Sequence, residues 1–314
     1  MTVAIAAAAF GAVAAEASSC AECPFEYRDG LIWLEVQVRE SQAPLHFLLD
    51  SGAGVSVINL STLRRIGRLR GRRVNVLGVE AAATGYWPQH LSVSEDGLPL
   101  PRDFLAVDLS ELGRTCGRTV DGLVGADFFC GHAVRIDFAS GKIRLAPRET
   151  PGTNGVSLPL EAHGGALRVP ISVNHGPRQW VRLDTGCASA LHWVSASVPP
   201  DECKPHVSVG LAPLSVALTR TSVQLGSLGF DGVRTGVHKE HILAGESGLL
   251  GTELLARFDS VVIDAPAGWL VLEGLPSGEG PVSRCLPESP PGGCSLVAPS
   301  QPRKGPVGRI AVRR

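Results

Sequence analysis

The chain has 314 residues, about twice a common domain length, so it holds two domains or one large one. With 44% hydrophobic and 19% charged residues it has enough apolar material for a sizeable core, which excludes a disordered or fibrous protein. Twenty-nine basic against thirty acidic residues leave a net charge of -1, which argues for neither a nucleic-acid nor an anionic-membrane partner, and thirty-seven Gly, twenty-three Pro and a single Met point to many turns and an all-β chain.

The first element is apolar. Val3 to Ala15 is almost entirely Ala, Val, Ile and Phe, too short to span a bilayer but suited to the hydrophobic region of a secretory signal, although no basic segment precedes it. Ala17-Ser18-Ser19-Cys20 partly matches a lipoprotein cleavage box, with Ala17 where Leu is usual. Residues 1–23 are read as a leader and the protein as exported, periplasmic or secreted, with a lipoprotein as a variant of that reading. Eight cysteines agree with export, because disulfides persist in oxidising compartments. Nearness in sequence favours Cys187 with Cys203, Cys285 with Cys294, and Cys116 with Cys130. Cys20 and Cys23 form a lone C-x-x-C without a second ligand pair at zinc spacing, and His238 and His241, around Glu240, read as a solvated loop. No metal and no cofactor is expected.

The first lobe is expected over 24–148. Ile32, Leu34, Val36 and Val38 alternate with Trp33, Glu35, Gln37 and Arg39, the period of a half-buried strand. A short turn leads to a second apolar strand, which runs into Phe47-Leu48-Leu49-Asp50-Ser51-Gly52. Leu60 to Ile66, starting near Ser61, reads as one short helix. Further on come Asp121-Gly122-Leu123-Val124-Gly125-Ala126-Asp127-Phe128-Phe129 and a closing hairpin, Val134 to Asp137 and Ile143 to Leu145, turning through Ser140-Gly141-Lys142.

Residues 149–165, with Pro151, Gly152, Gly155, Gly164 and Gly165, read as a linker. The same order then recurs over 166–275. Leu167, Val169, Ile171 and Val173 alternate with polar residues, and Trp180-Val181-Arg182-Leu183-Asp184-Thr185-Gly186 follows. Ser247-Gly248-Leu249-Leu250-Gly251-Thr252-Glu253-Leu254-Leu255 matches the earlier Gly-containing segment, and Val261 to Asp264 with Trp269 to Leu272 closes the copy. Two homologous β lobes is the reading. The remainder, 276–314, is Pro/Gly-rich, ends in Arg303, Lys304, Arg309, Arg313 and Arg314, and reads as a mobile basic tail.

A single Asp-[Ser/Thr]-Gly is weak evidence, since an Asp at a turn beside a hydroxyl is common. Its recurrence after the same strand and before the same Gly-containing segment is what gives it weight. In carrying these motifs in order over residues 30 to 275, the chain resembles aspartic peptidases of the retropepsin-like and pepsin-like superfamily, and Asp50-Ser51-Gly52-Ala53-Gly54-Val55-Ser56-Val57-Ile58 looks like the bacterial retropepsin-like domains. The resemblance implies the acid-protease fold: two homologous six-stranded β-barrel lobes with a cleft between them, and a site complete in one monomeric chain. It implies Asp50 and Asp184 as the catalytic carboxylates of an aspartic endopeptidase acting on a peptide or protein substrate. Ser51, Gly52, Thr185 and Gly186 would support the catalytic loops, the Ser51 and Thr185 hydroxyls tying them together across the lobe interface, and Gly125 and Gly251 would brace them. Two carboxylates about 3 Å apart cannot both ionise and share one proton.

The family closes a hairpin flap over the substrate, and its place here is Arg73 to Trp87, through Val74, Val76, Gly78 and Gly85. Tyr86 or Trp87 is a candidate substrate-facing aromatic, against the alternative that both pack on the lobe. Ala53 and Cys187 stand where the family commonly has a Ser hydroxyl bonding the ionised carboxylate. Its loss implies an acid limb of activity above that of pepsin. The alternative function is a bilobal peptide-binding or scaffold protein that has lost catalysis. Neither G-x-S-x-G nor a P-loop nor G-x-G-x-x-G is present.

Overall fold

The computed structural model describes residues 22–67, 69–78, 81–94, 98–146, 155–195, 202–209, 213–240, 242–243, 245–274 and 296–297. The leader through residue 21, the Cys285–Cys294 bridge, His241 and nearly all of the tail lie outside these residues. Among the described residues strands take up 55% and helices 9%, which makes this part of the protein mostly β.

The two copies fold alike, strand for strand. Each has a long strand early in its order, Leu31–Val38 or Ala166–Val173. Alternation buries Leu34, Val36 and Val38 of the first, and Leu167, Val169 and Ile171 of the second, in one apolar core. Each pairs antiparallel with the strand that runs into an acid, Leu45–Leu49 or Gln179–Asp184. The short strands Gly122–Val124 and Gly248–Gly251 lie parallel to those, with Leu123 opposite Leu48 and Leu249 opposite Arg182. Their all-apolar sequences suit strands buried on both faces. On the far side they pair antiparallel with Val57–Asn59 and Leu191–Val194. The strand before each acid is thus flanked on both sides, which fixes where the chain leaves the sheet.

The first copy lies in a 10-stranded sheet and the second in an 8-stranded one, where Ala166–Val173 also pairs with Pro213–Leu225. The sheets are not closed into the expected six-stranded barrels, and the closing hairpins leave their own copies and pair with each other. Ala133–Asp137 lies antiparallel to Ser260–Asp264, Val134 opposite Ile263 and Arg135 opposite Val262, at the centre of a 6-stranded sheet shared by both copies.

The edges of that sheet correct two boundaries. Glu22–Pro24 pairs with Lys142–Ala146, so Glu22 and Cys23 belong to the fold rather than to the leader. Gly155–Pro159 pairs with Trp269–Glu273, and Glu161–His163 with Ala166–Val173, so residues 155–163 open the second copy rather than link the two. The glycines masked an alternation whose inward member, Leu158, is 1% exposed. The tail reading also needs correction at one point: Leu296 and Val297 pair with Gly78 and Leu77.

The helix expected over 60–66 is Leu60–Arg65, whose Asn59 cap accepts a hydrogen bond from the Ser61 amide at 3.2 Å. No helix among the described residues is long and apolar enough to cross a membrane.

Candidate active site

Asp50 and Asp184 are both buried, at 3% and 0% exposure. The Asp50 amide donates to the Val124 carbonyl at 2.8 Å, the last rung beside its flanking strand. Beyond it the chain turns sharply, and the Gly52 and Ala53 amides donate to Asp50 Oδ1 at 3.1 and 3.0 Å. In the second copy the Gly186 amide donates to Asp184 Oδ1 at 3.0 Å. Backbone donors of this kind favour the ionised carboxylate. Gly186 also shows how close the two loops come: a Cβ on it would lie 2.5 Å from Asp50 Cγ. Only glycine lets the first carboxyl rest against the second loop, two residues from Asp184.

Ser51 and Thr185 join the loops through four hydrogen bonds with two-fold symmetry. The Ser51 amide donates to Thr185 Oγ1 at 2.9 Å, and the Thr185 amide donates to Ser51 Oγ at 3.0 Å. Each hydroxyl in turn donates to the strand before the other acid, Ser51 to the Leu183 carbonyl and Thr185 to the Leu49 carbonyl, both at 2.9 Å. Gly125 and Gly251 lie directly behind. The residue after each glycine donates its amide back to a loop carbonyl, Ala126 to Ala53 at 2.7 Å and Thr252 to Cys187 at 2.8 Å. Thr252 Oγ1 adds a bond to the Thr185 carbonyl at 2.8 Å. Ser56 Oγ, which accepts from the Gly125 amide, donates to Asp127 Oδ1 at 2.7 Å. All eight residues singled out in the sequence therefore belong to this one junction between the copies.

No protein-family model and no curated protein matches this chain. The functional reading accordingly rests on the residues and their geometry.

The hairpin expected over 73–87 is formed by Arg72–Gly78 and Ala81–His90, with Val74 opposite Gly85. Tyr86 and Trp87 are partly buried, Tyr86 packing against the large apolar core that both copies share and Trp87 against the smaller cluster around Trp33, Leu48 and Leu105. Cys187 is a fully buried free thiol, and Cys116 is also free, so neither the Cys187–Cys203 nor the Cys116–Cys130 bridge forms. Cys187 packs beside Gly251, and Cys203 lies in the last strand of the 8-stranded sheet. No three His, Cys, Asp or Glu side chains among the described residues are placed to hold a metal ion.

Two buried polar features carry no sequence motif. The first is Arg182, 4% exposed, whose Nη1 donates to the Gly52 carbonyl at 2.7 Å and whose Nη2 donates to Glu246 Oε1 at 2.9 Å. Arg168 Nη2 shares the same Glu246 oxygen at 3.0 Å. The only sequence signal was a mismatch, since Arg182 occupies the position of Leu48 in the first copy. The second is a histidine pair, with His192 Nδ1 2.8 Å from His238 Nε2. His238 ends the strand Leu228–His238 and is buried, not in a solvated loop, and burial pushes its imidazole down to about 4.

Proposed function

We propose that this chain is an aspartic endopeptidase, built as two homologous lobes of the acid-protease fold facing each other across a substrate cleft. One observation carries the proposal: two Asp-[Ser/Thr]-Gly loops, one from each copy, are cross-bonded by Ser51 and Thr185, with the Asp50 carboxyl seated against Gly186. A structural role for the acids alone does not account for this. An Asp that only caps a turn needs no counterpart from a second repeat at the same place.

The chemistry follows from two carboxylates in one buried site. They hold one proton between them and titrate as a unit. The ionised member takes a proton from a bound water as that water attacks the scissile carbonyl carbon. The protonated member hydrogen-bonds the carbonyl oxygen, and a proton then passes to the leaving amine. Export, the second part of the proposal, is checked by locating the full-length chain in cell fractions.

Asp50→Asn and Asp184→Asn test the activity. Each is expected to abolish cleavage of a mixed peptide library, and the wild-type cleavage to be blocked by a statine-type transition-state mimic. Circular dichroism should show both variants folded. Unchanged turnover in either variant refutes the assignment, and absence of cleavage by the wild type favours the peptide-binding alternative.

A further inference from the structure

The second copy holds a buried cation where the first holds a leucine. Leu48, 2% exposed, packs among Trp33, Val57, Leu123 and Ala188. Its counterpart Arg182 is almost as buried but is tied to Glu246. A buried ion pair rarely stabilises a fold more than an apolar pair of similar volume, and the first copy shows that this strand position accepts leucine. The role of Arg182 is therefore to be sought in what it touches.

It touches the other copy's loop. Its Nη1 donates to the Gly52 carbonyl at 2.7 Å, and the N–H of that same peptide, on Ala53, donates to Asp50 Oδ1 at 3.0 Å. Guanidinium, peptide and carboxylate thus form one chain of hydrogen bonds. A cation on the carbonyl draws electron density through the conjugated amide and makes its N–H a stronger donor. The charged or titratable groups around this loop are Asp50, Asp184, the Cys187 thiol, Arg182, Glu246 and Arg168, with the half-exposed Glu161 3.9 Å beyond Arg168. The two guanidiniums outnumber the single buried carboxylate that joins them.

We propose that Arg182, held in place by Glu246, is a positioning residue that polarises the Gly52–Ala53 peptide and so favours the ionised form of Asp50, leaving the shared proton on Asp184. The proposal rests on the reading of Asp50 and Asp184 as a proton-sharing pair. It gives the pair a fixed polarity, with Asp50 as the base toward water and Asp184 as the donor toward the carbonyl. It also supplies, through a backbone N–H, the stabilisation that the missing hydroxyl at Ala53 would otherwise give.

The test uses the full-length protein with Arg182→Met, in which Glu246 stays paired with Arg168, and with the double change Arg182→Met/Glu246→Gln, which also removes the buried carboxylate if the single variant folds poorly. Aspartate carboxyl carbons are labelled with carbon-13 and followed by NMR against pH, with Asp50→Asn providing the assignment. In the wild type, Asp50 is expected to stay ionised to lower pH than Asp184. In both variants its midpoint should rise by about one pH unit, the lower end of the effect of an adjacent opposite charge. The acid limb of peptidase activity should rise with it. An Asp50 titration unchanged in both variants, or a wild type with Asp50 protonated first, overturns the proposal whatever the activity. The expected titration in a wild type that cleaves no peptide would instead remove the peptidase reading and leave this one standing.

Discussion

Thr185→Val isolates the link between the two copies. Valine matches threonine in shape, so the substitution opens no cavity and removes only the hydroxyl. That hydroxyl accepts from the Ser51 amide and donates to the Leu49 carbonyl, both at 2.9 Å, in a site where Ser51, Leu49 and Thr185 are fully buried. Each of these two buried groups, deprived of its partner, costs about 1–3 kcal/mol, so we predict a loss of about 2–6 kcal/mol. This is a large share of the roughly 5–15 kcal/mol that a folded protein commonly has. In urea denaturation, with a slope of about 3 kcal/mol/M, the midpoint should fall by about 1 M with the slope unchanged. Thr185→Ser keeps the hydroxyl and reproduces what the first copy already has at Ser51, so it should lie within about 1 kcal/mol of the wild type. A Thr185→Val midpoint no lower than that of Thr185→Ser would show that the hydroxyl does not hold the copies together.

Gly186→Ala is expected to cost about 1–3 kcal/mol of stability, because the new methyl meets the Asp50 carboxyl at 2.5 Å and must displace it. Displacement by about an ångström should lower kcat by about a hundredfold or more, and an unchanged kcat would refute the placement of Asp50. The pH dependence of stability has a separate source in His238, held down to about 4 by burial from an ordinary value of 6.5. As pH falls the unfolded chain takes up this proton first, so the stability present above pH 6.5 is lost progressively toward pH 4, by roughly 3 kcal/mol in all. His238→Gln should flatten that loss when denaturation midpoints at pH 7 and pH 4.5 are compared, and an equal pH dependence in the two proteins would refute it.

The sequence made some of this legible and hid the rest for physical reasons. The duplicated order of elements could be read because two apolar strands, an Asp-[Ser/Thr]-Gly loop and a Gly-containing apolar segment carry local patterns that survive in one dimension. Residues 155–163 resemble a linker in sequence, because Gly155, Gly164 and Gly165 are strong turn signals while the burial of Leu158 depends on a partner strand more than a hundred residues away. The pairing of hydroxyls across the copies was accessible only through the family resemblance. Arg182 escaped notice because a charged residue in a strand normally faces solvent, and nothing local reveals a carboxylate from residue 246 waiting behind it. The histidine pair was missed for a similar reason: His192 and His238 come from strands that become neighbours only in the folded sheet.

The strand pairing at the centre of the shared sheet has one more consequence. Val134-Arg135-Ile136-Asp137 corresponds to Val261-Val262-Ile263-Asp264, and Arg135 stands opposite Val262, its own counterpart, with Val134 opposite Ile263 and Ile136 opposite Val261. The register is self-complementary, which is the property of an isologous interface between identical subunits. A half-chain made alone would carry an edge strand fitted to a second copy of itself, and its association would depend on concentration. In the intact chain the tether supplies the second half at an effective concentration far above any the protein reaches in solution. The junction that brings Asp50 and Asp184 together therefore forms equally well at any dilution.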